Sequence, residues 1–242
     1  MYYWKCWRDN KIRIIVFVII GIAIGCIGFK GSWQRQEDSL IRTHDFWVVW
    51  NLILFLSQFF GSLAALTLGA AGLGEEFPQK TIDFLFTRPR KRRYFVWMGW
   101  IAGVLQVATI LAIYFAFAFL VLICRTKAPF QWIQLFPIAA TLIVSLLAYS
   151  VAYTMTAALR GRNGFAASIG LIFIYSGSAS LISSWWGIHL PSPEDLFPDW
   201  SVAFLHPELG IGIFPLGAAL MWIVAAVLCP AFAQFRVARI DL

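Results

Sequence analysis

Residues 95–124 read FVWMGWIAGVLQVATILAIYFAFAFLVLIC, thirty consecutive residues without Asp, Glu, Lys, Arg or His. A helix needs roughly 20 mostly apolar residues to cross a bilayer, so this stretch is long enough to span a membrane. Strands of a membrane barrel would instead alternate apolar and polar residues, and this stretch does not alternate. It therefore predicts a transmembrane α-helix.

Five more apolar segments flank this stretch, and together the six predict six membrane-spanning helices. The other five have approximate bounds 12–29, 46–73, 132–159, 164–185 and 212–235. Apolar residues make up 60% of the 242 residues and charged residues 13%, whereas soluble domains average roughly 45–50% and 25%. We therefore expect an all-α integral membrane protein in which residues 1–242 form a single transmembrane domain.

The amino-terminal residues 1–11 are predicted to form a helix at the membrane interface. They place Tyr and Trp rings among cations, as in Trp4-Lys5 and Trp7-Arg8. This pattern puts the rings at headgroup level and the cations against anionic lipid. The alternative is an ordinary basic flank to the first span. No small-x-small exit leads into a soluble domain, which argues against a cleaved signal.

The loop between the second and third spans holds the densest charge in the chain. Residues 74–94, GEEFPQKTIDFLFTRPRKRRY, contain six of the nineteen Lys and Arg residues. Residues 79–87 within it predict a short amphipathic helix that Pro89 ends, because proline cannot continue a helix. A structured basic element between two spans is typical of a docking surface.

The distribution of Lys and Arg predicts that both termini and the loop 74–94 are cytoplasmic. Fourteen of the nineteen basic residues then lie inside: four before the first span, six in this loop, two after the fourth span and two at the carboxyl end. An excess of cytoplasmic Lys and Arg is the usual orientation signal. This topology accounts for the net charge of +7, so we expect no nucleic-acid partner.

Several kinds of functional site have no support in the sequence. The interiors of the spans contain no ionisable side chains, which argues against a carrier driven by buried carboxylates. The three histidines have no ligand spacing, so no metal site is expected: His44, His189 and His206. Residues 74–81 depart from a phosphate-binding loop at Gln79, so this chain is not expected to bind ATP. Pairing of Cys26 with Cys124 is left open.

The loop resembles the first cytoplasmic loop of ATP-binding-cassette (ABC) permeases of the type-2 exporter class. Those permeases carry a Glu, then Gly-Thr, an acidic residue, paired Leu, a Ser/Thr-x-Pro and basic residues. The matching positions are Glu76, Thr81, Asp83, Phe84, Leu85, Thr87, Arg88, Pro89 and Arg90. Two positions depart from the pattern: Lys80 stands where Gly is usual, and the Lys common early in the third span is absent.

This resemblance implies how the chain works. The coupling loop 75–93 would contact a separate cytoplasmic ATPase subunit, which would bind ATP and Mg, while this chain would bind no cofactor and would not be an enzyme. A second permease subunit, identical or different, would complete the transporter in a bacterial-type inner membrane. The resemblance covers the whole chain in layout, but its motif covers only about twenty residues.

The outer segment 186–210, before the last span, is predicted to form an exit gate. It contains no Lys or Arg, and its proposed gate residues are Pro193, Phe197 and Trp200. Ser192-Pro193-Glu194-Asp195 favours a helix start. Ser caps helices, Pro suits the first helical position, and acidic residues in the first turn interact favourably with the helix dipole. A surface loop without gating function is the alternative.

Other readings of the chain are a membrane anchor or sensor whose basic loop binds lipid or a signalling partner, and, more weakly, a membrane-embedded enzyme.

Small residues in the second span (Gly61, Gly69, Gly72) and the fifth (Gly170, Gly177) predict close helix contacts, within one subunit or at a dimer seam. The substrate is not identified by the sequence.

Overall fold

Six α-helices and one short 3₁₀ helix make up the parts of the chain that the computed structural model describes, residues 2–32, 41–72, 92–126, 135–161, 163–187, 190–196 and 215–238. In chain order they are α1 (Tyr2–Ser32), α2 (Ile41–Gly72), α3 (Arg92–Thr126), α4 (Leu135–Ala158), α5 (Gly164–Trp186), the 3₁₀ helix (Pro193–Leu196) and α6 (Leu216–Ala238). No strand occurs within these ranges. The all-α prediction is confirmed.

Five of these helices contain a segment long and apolar enough to cross a membrane, which makes the chain an integral membrane protein. The segments are Ile53–Gly72, Arg93–Val121, Leu135–Ala158, Gly164–Trp186 and Leu216–Phe235. They correspond to five of the six predicted spans. The predicted first span, residues 12–29, lies within α1 and stays a prediction.

The interfacial helix predicted over residues 1–11 continues directly into the predicted first span, and its place at the membrane interface stays a prediction. Residues 2–32 form one uninterrupted helix, so no boundary separates an interfacial element from the apolar run. The physical reason is that no Gly or Pro occurs before Gly21, so nothing in the sequence breaks the helix there. Trp4 and Ile12 are highly exposed, whereas Asn10 is buried.

A tight turn joins α4 to α5 and accounts for the sharp boundary between them. Arg160, Gly161 and Asn163 have φ of 52°, 79° and 52°, which reverses the chain within a few residues. The Gly161 amide donates to the Thr156 carbonyl at 2.9 Å, closing the end of α4. At its far end α5 stops at Gly187, which has φ 66° and donates to Ser183. The predicted bounds of both spans agree with the helices to within three residues.

Helix α2 packs closely on α4 over much of its length. A Cβ added at Gly69 would lie 2.6 Å from the Tyr149 carbonyl oxygen and 2.8 Å from the Ala152 Cβ. A Cβ at Gly61 would lie 2.6 Å from the Ser145 hydroxyl oxygen. The small residues of the second span thus serve contacts within this chain.

An aromatic cluster joins α3 to α2 and α1. The Tyr114 hydroxyl donates to the Ile53 carbonyl at 3.1 Å. Its ring lies 5.7 Å from that of Phe60, which lies 6.0 Å from Phe17. All three rings are buried.

Helix α5 is the least buried of the candidate spans. Only 11% of its most apolar window is buried, against 56% for the window in α2. Its contacts are mainly with α4. A Cβ added at Gly170 or Gly177 would meet nothing within 4 Å among the described residues, so these two glycines make no close contact with that part of the chain.

Candidate functional site

The predicted coupling residues lie in a part of the chain outside the described ranges. They are Glu76, Thr81, Asp83, Phe84, Leu85, Thr87, Arg88, Pro89 and Arg90. Their roles therefore stay predictions. The structure does describe the two helix ends from which the loop departs, at Gly72 in α2 and at Arg92 in α3.

Both stems of the loop meet one side chain, Tyr153 of α4. The Tyr153 hydroxyl donates to the Val96 carbonyl, close to the start of α3, at 2.8 Å. On its other side the ring lies against Gly72, the last residue of α2, where an added Cβ would be 3.0 Å from a ring carbon. Tyr153 is fully buried, so its position is fixed by these neighbours.

A second tyrosine, one helical turn away on α4, extends this contact along α3. The Tyr149 ring is stacked on Tyr153, with centroids 5.9 Å apart and planes at 26°. Its hydroxyl donates to the Gly99 carbonyl at 3.4 Å. Gly103 leaves space for this ring, because a Cβ there would overlap the Tyr149 hydroxyl. We call Tyr149 and Tyr153 the tyrosine pair.

Indole groups tie the same part of α3 to α4 and α6. Trp100 Nε1 donates to the Ser150 hydroxyl of α4 at 2.9 Å. Trp97 Nε1 donates to the Gln234 side-chain oxygen of α6 at 2.9 Å. Hydrogen bonds between transmembrane helices contribute about 0.6 kcal/mol on average and at most about 1.7. The bonds from α3 to several helices therefore join the first turns of α3 to the bundle.

A buried polar chain ties α3 to α1. The Asn10 amide donates to the Gln106 side-chain oxygen at 3.1 Å, and the Gln106 amide donates to the Cys6 carbonyl at 3.1 Å. Arg13 donates to the Asn10 oxygen at 2.8 Å. Asn10 and Gln106 are both buried, and a buried polar group without a hydrogen-bond partner costs free energy. The bond between them gives each side chain a partner.

We expect Gln106→Leu to lower the free energy of unfolding by about 1–3 kcal/mol, because it leaves the buried Asn10 amide without its acceptor. Asn10→Leu should have a similar effect, and the double variant should lose less than the sum of the two. Thr109→Val is the control, since the Thr109 hydroxyl donates to the Leu105 carbonyl of its own helix at 2.7 Å. Reversible unfolding in detergent measures all four, and strict additivity would contradict the pairing.

The structure describes the start of the predicted outer gate. Pro193 begins the 3₁₀ helix, as the sequence favours, while Phe197 and Trp200 lie outside the described residues. The Asp195 carboxylate accepts from the Ser192 amide at 2.7 Å. Leu196 is fully buried in a cluster with Ala140 of α4 and with Ala219 and Trp222 of α6.

Helix α5 holds this segment from the other side. The Tyr175 hydroxyl donates to the Pro191 carbonyl at 2.5 Å. The Tyr175 ring also meets Trp222 edge to face, with centroids 6.1 Å apart. The short outer segment is therefore fixed to α4, α5 and α6 together, whereas its gating role stays a prediction.

Sequence reasoning did not identify the tyrosine pair. The available signal was two tyrosines four residues apart in the fourth predicted span, together with glycines near both ends of the loop. Within the described residues no group of three His, Cys, Asp or Glu side chains is placed to hold a metal ion.

No known protein-family model, curated protein or solved structure matches this chain.

Proposed function

We propose that this chain is the membrane-spanning permease subunit of an ABC exporter, coupling ATP hydrolysis on a separate ATPase subunit to outward movement of a substrate. In this proposal α1 supplies the sixth span, both termini and the coupling loop are cytoplasmic, and the chain lies in a bacterial-type inner membrane. The observation that carries the proposal is the convergence of both loop stems on Tyr153.

This convergence gives the loop a mechanical route into the bundle. Closure of the ATPase moves the loop, and the loop moves Gly72 and Val96 together because Tyr153 lies between them. The bonds of Trp97, Trp100 and Gln106 then carry α3 with α6, α4 and α1. Small shifts at one site become larger rearrangements when packed helices have two stable arrangements.

A second permease subunit packs, in this proposal, against α5. This helix is the least covered by its own chain, and its exposed residues include five serines: Ser176, Ser178, Ser180, Ser183 and Ser184. Small and hydroxylated residues are enriched where transmembrane helices meet, since they allow close approach and hydrogen bonding. Two copies meeting along α5 would leave the outer segment of each near their shared boundary.

The proposal is tested by recovery of the ATPase with the solubilised permease. We expect wild-type protein, produced with the ATPase encoded beside it, to retain that ATPase. The double change Asp83→Arg with Leu85→Asp should abolish retention, because it reverses a charge and removes an apolar anchor in the predicted coupling helix. Quantitative mass spectrometry of the purified complex gives the ratio of the two subunits.

Asp9→Arg is the matched control for the charge reversal. Asp9 is exposed on α1 and lies outside the loop, so this variant should retain the ATPase. If folded wild-type protein retains no ATPase, the transport proposal fails and the anchor or sensor alternative replaces it. Loss of the ATPase from the Asp9 variant as well would contradict the assignment of the loop as the docking site.

A further inference from the structure

A half-open apolar cavity of about 260 Å³ lies between α3, α4 and α6. Its walls include Val104 and Ala108 from α3, Leu142 and Leu146 from α4, and Ile223 from α6. Tyr149 also lines it, but the Tyr149 hydroxyl is already hydrogen-bonded to the Gly99 carbonyl. The cavity therefore offers a ligand hydrocarbon contacts and no free polar group from these side chains.

A cavity of this kind does not hold water well. Water inside a protein needs two to four polar partners, and an engineered apolar cavity of about 150 Å³ stays dry and binds benzene. The present cavity is larger, at about 260 Å³. It has room for a longer hydrocarbon than benzene.

The depth of the cavity is set by three helices independently. Its lining residue Val107 is the central residue of the candidate span Arg93–Val121, and Leu146 is next to the centre of Leu135–Ala158. Ile223 is within three residues, or about 5 Å, of the centre of Leu216–Phe235. The cavity thus lies at mid-depth in the membrane. Leu142 and Ile223 are each 36% exposed at its rim, so it opens toward the surrounding hydrocarbon.

Two features of the sequence keep the cavity from being filled. The short side chain of Ala108 leaves one wall recessed. The Tyr149 ring is drawn toward α3, into the space that the missing side chain of Gly103 provides. A larger residue at 108 would project into this space.

We propose that this cavity is a binding site for the acyl chain of a membrane phospholipid, held by the permease as a bound lipid and not exchanged as freely as the lipid around the bundle. Hydrocarbon is the material present at the rim at this depth, and the lining contains no charge or free hydrogen-bonding group that would select another ligand. The inference needs only the membrane location of the three helices and is independent of ATPase binding.

The first test is retention of phospholipid by the purified protein. We expect wild-type protein, washed in detergent and examined by native mass spectrometry, to keep one phosphatidylethanolamine or phosphatidylglycerol per chain. Ala108→Phe should lower the retained fraction about tenfold, which corresponds to about 1.4 kcal/mol of binding free energy. Ala116→Phe is the control, because Ala116 is exposed on the same helix and does not line the cavity. Equal retention by all three proteins would overturn the proposal.

The second test uses unaltered protein, so it does not depend on the folding of a variant. A phosphatidylcholine with a photoactivatable group in the middle of its acyl chain is incorporated into nanodiscs with the protein, and labelled peptides are mapped. Labelling of 104–108 and 142–146 should exceed labelling around Phe59 and Leu63, which are exposed on α2 and lie outside the proposed subunit interface on α5. Labelling no stronger than at these exposed positions would mean ordinary surrounding lipid only, and would also overturn the proposal.

Discussion

Replacing Gly69 by Ala is expected to lower the free energy of unfolding by about 3 kcal/mol, the upper part of the range for overpacking a well-packed core. The added methyl group would meet the Tyr149 carbonyl at 2.6 Å and the Tyr153 amide nitrogen at 3.1 Å. Backbone atoms of a hydrogen-bonded helix cannot swing aside as the end of a side chain can. The α2–α4 contact would have to open, and with it the contact of Gly72 on Tyr153.

Gly217→Ala is the matched control, because a Cβ at Gly217 in α6 would meet none of the residues that the structure describes within 4 Å. Ala favours a helix over Gly by about 1 kcal/mol, so this variant should unfold at the same free energy or a slightly higher one. Steric trapping or denaturant unfolding in detergent measures both variants. Equal stability of the Gly69 and Gly217 variants would contradict the close packing of α2 on α4.

The helices themselves were predictable from local sequence, because long apolar runs and the glycines that stop them are local features. The predicted start of α5 at Gly164 is confirmed, and its predicted end at Trp185 lies one residue before the observed end. The continuity of α1 was not stated by the sequence prediction, since a change from charged to apolar residues alters the surroundings of a helix without breaking it. Only Gly, Pro or a competing cap does that.

Helix partners and buried faces were not predictable in the same way. In a soluble helix the apolar stripe marks the core, but in a membrane the surrounding lipid is as apolar as the core. Phe60 is 2% exposed and Phe173 is 73% exposed, although both are phenylalanines in long apolar runs. The glycines of α2 predicted a close contact, yet only the structure shows that α4 and not another subunit makes it.

The candidate site likewise has one part that the sequence predicts and another that only the structure shows. The residues proposed to contact the ATPase come from a local motif between 76 and 90, which the sequence displays. The tyrosine pair joins residues that are far apart in the sequence, as in the bond from Tyr153 to the Val96 carbonyl, 57 positions away. Asn10 and Gln106 are 96 positions apart. No local pattern in one sequence predicts such pairings.

Removing the Tyr153 side chain is expected to separate ATPase binding from ATPase coupling. Tyr153→Ala leaves the predicted docking loop unchanged, so the ATPase should still be recovered with the permease. The variant removes the contact with Gly72 and the bond to Val96, so motion of the loop should no longer reach α3. Loss of a large buried aromatic side chain should also lower the free energy of unfolding by about 3–5 kcal/mol.

Two conservative variants separate an effect on coupling from an effect on stability. Tyr153→Phe and Tyr114→Phe each remove one hydroxyl that donates to a backbone carbonyl, at 2.8 Å and 3.1 Å. Each should lower the free energy of unfolding by about 1 kcal/mol. Of these two tyrosines, Tyr153 contacts the stems of the loop, whereas Tyr114 bonds α3 to α2 about 27 Å further along the helix from Val96. Permease-stimulated ATP hydrolysis in nanodiscs should therefore fall in Tyr153→Phe and remain near wild type in Tyr114→Phe.

Equal hydrolysis by these two variants at equal stability would mean that the Val96 bond does not transmit loop movement. Tyr153→Ala then decides whether the ring contact with Gly72 is sufficient to transmit loop movement, since this variant removes both the ring contact and the hydrogen bond. Normal stimulation by a folded Tyr153→Ala complex would exclude the tyrosine pair as the connection. Loss of ATPase recovery in that variant would instead show that α4 fixes the conformation in which the loop docks. Tyr153 lies between the two stems, so its loss should change how the stems move together and leave the loop itself accessible to the ATPase. We therefore expect lost stimulation with retained binding.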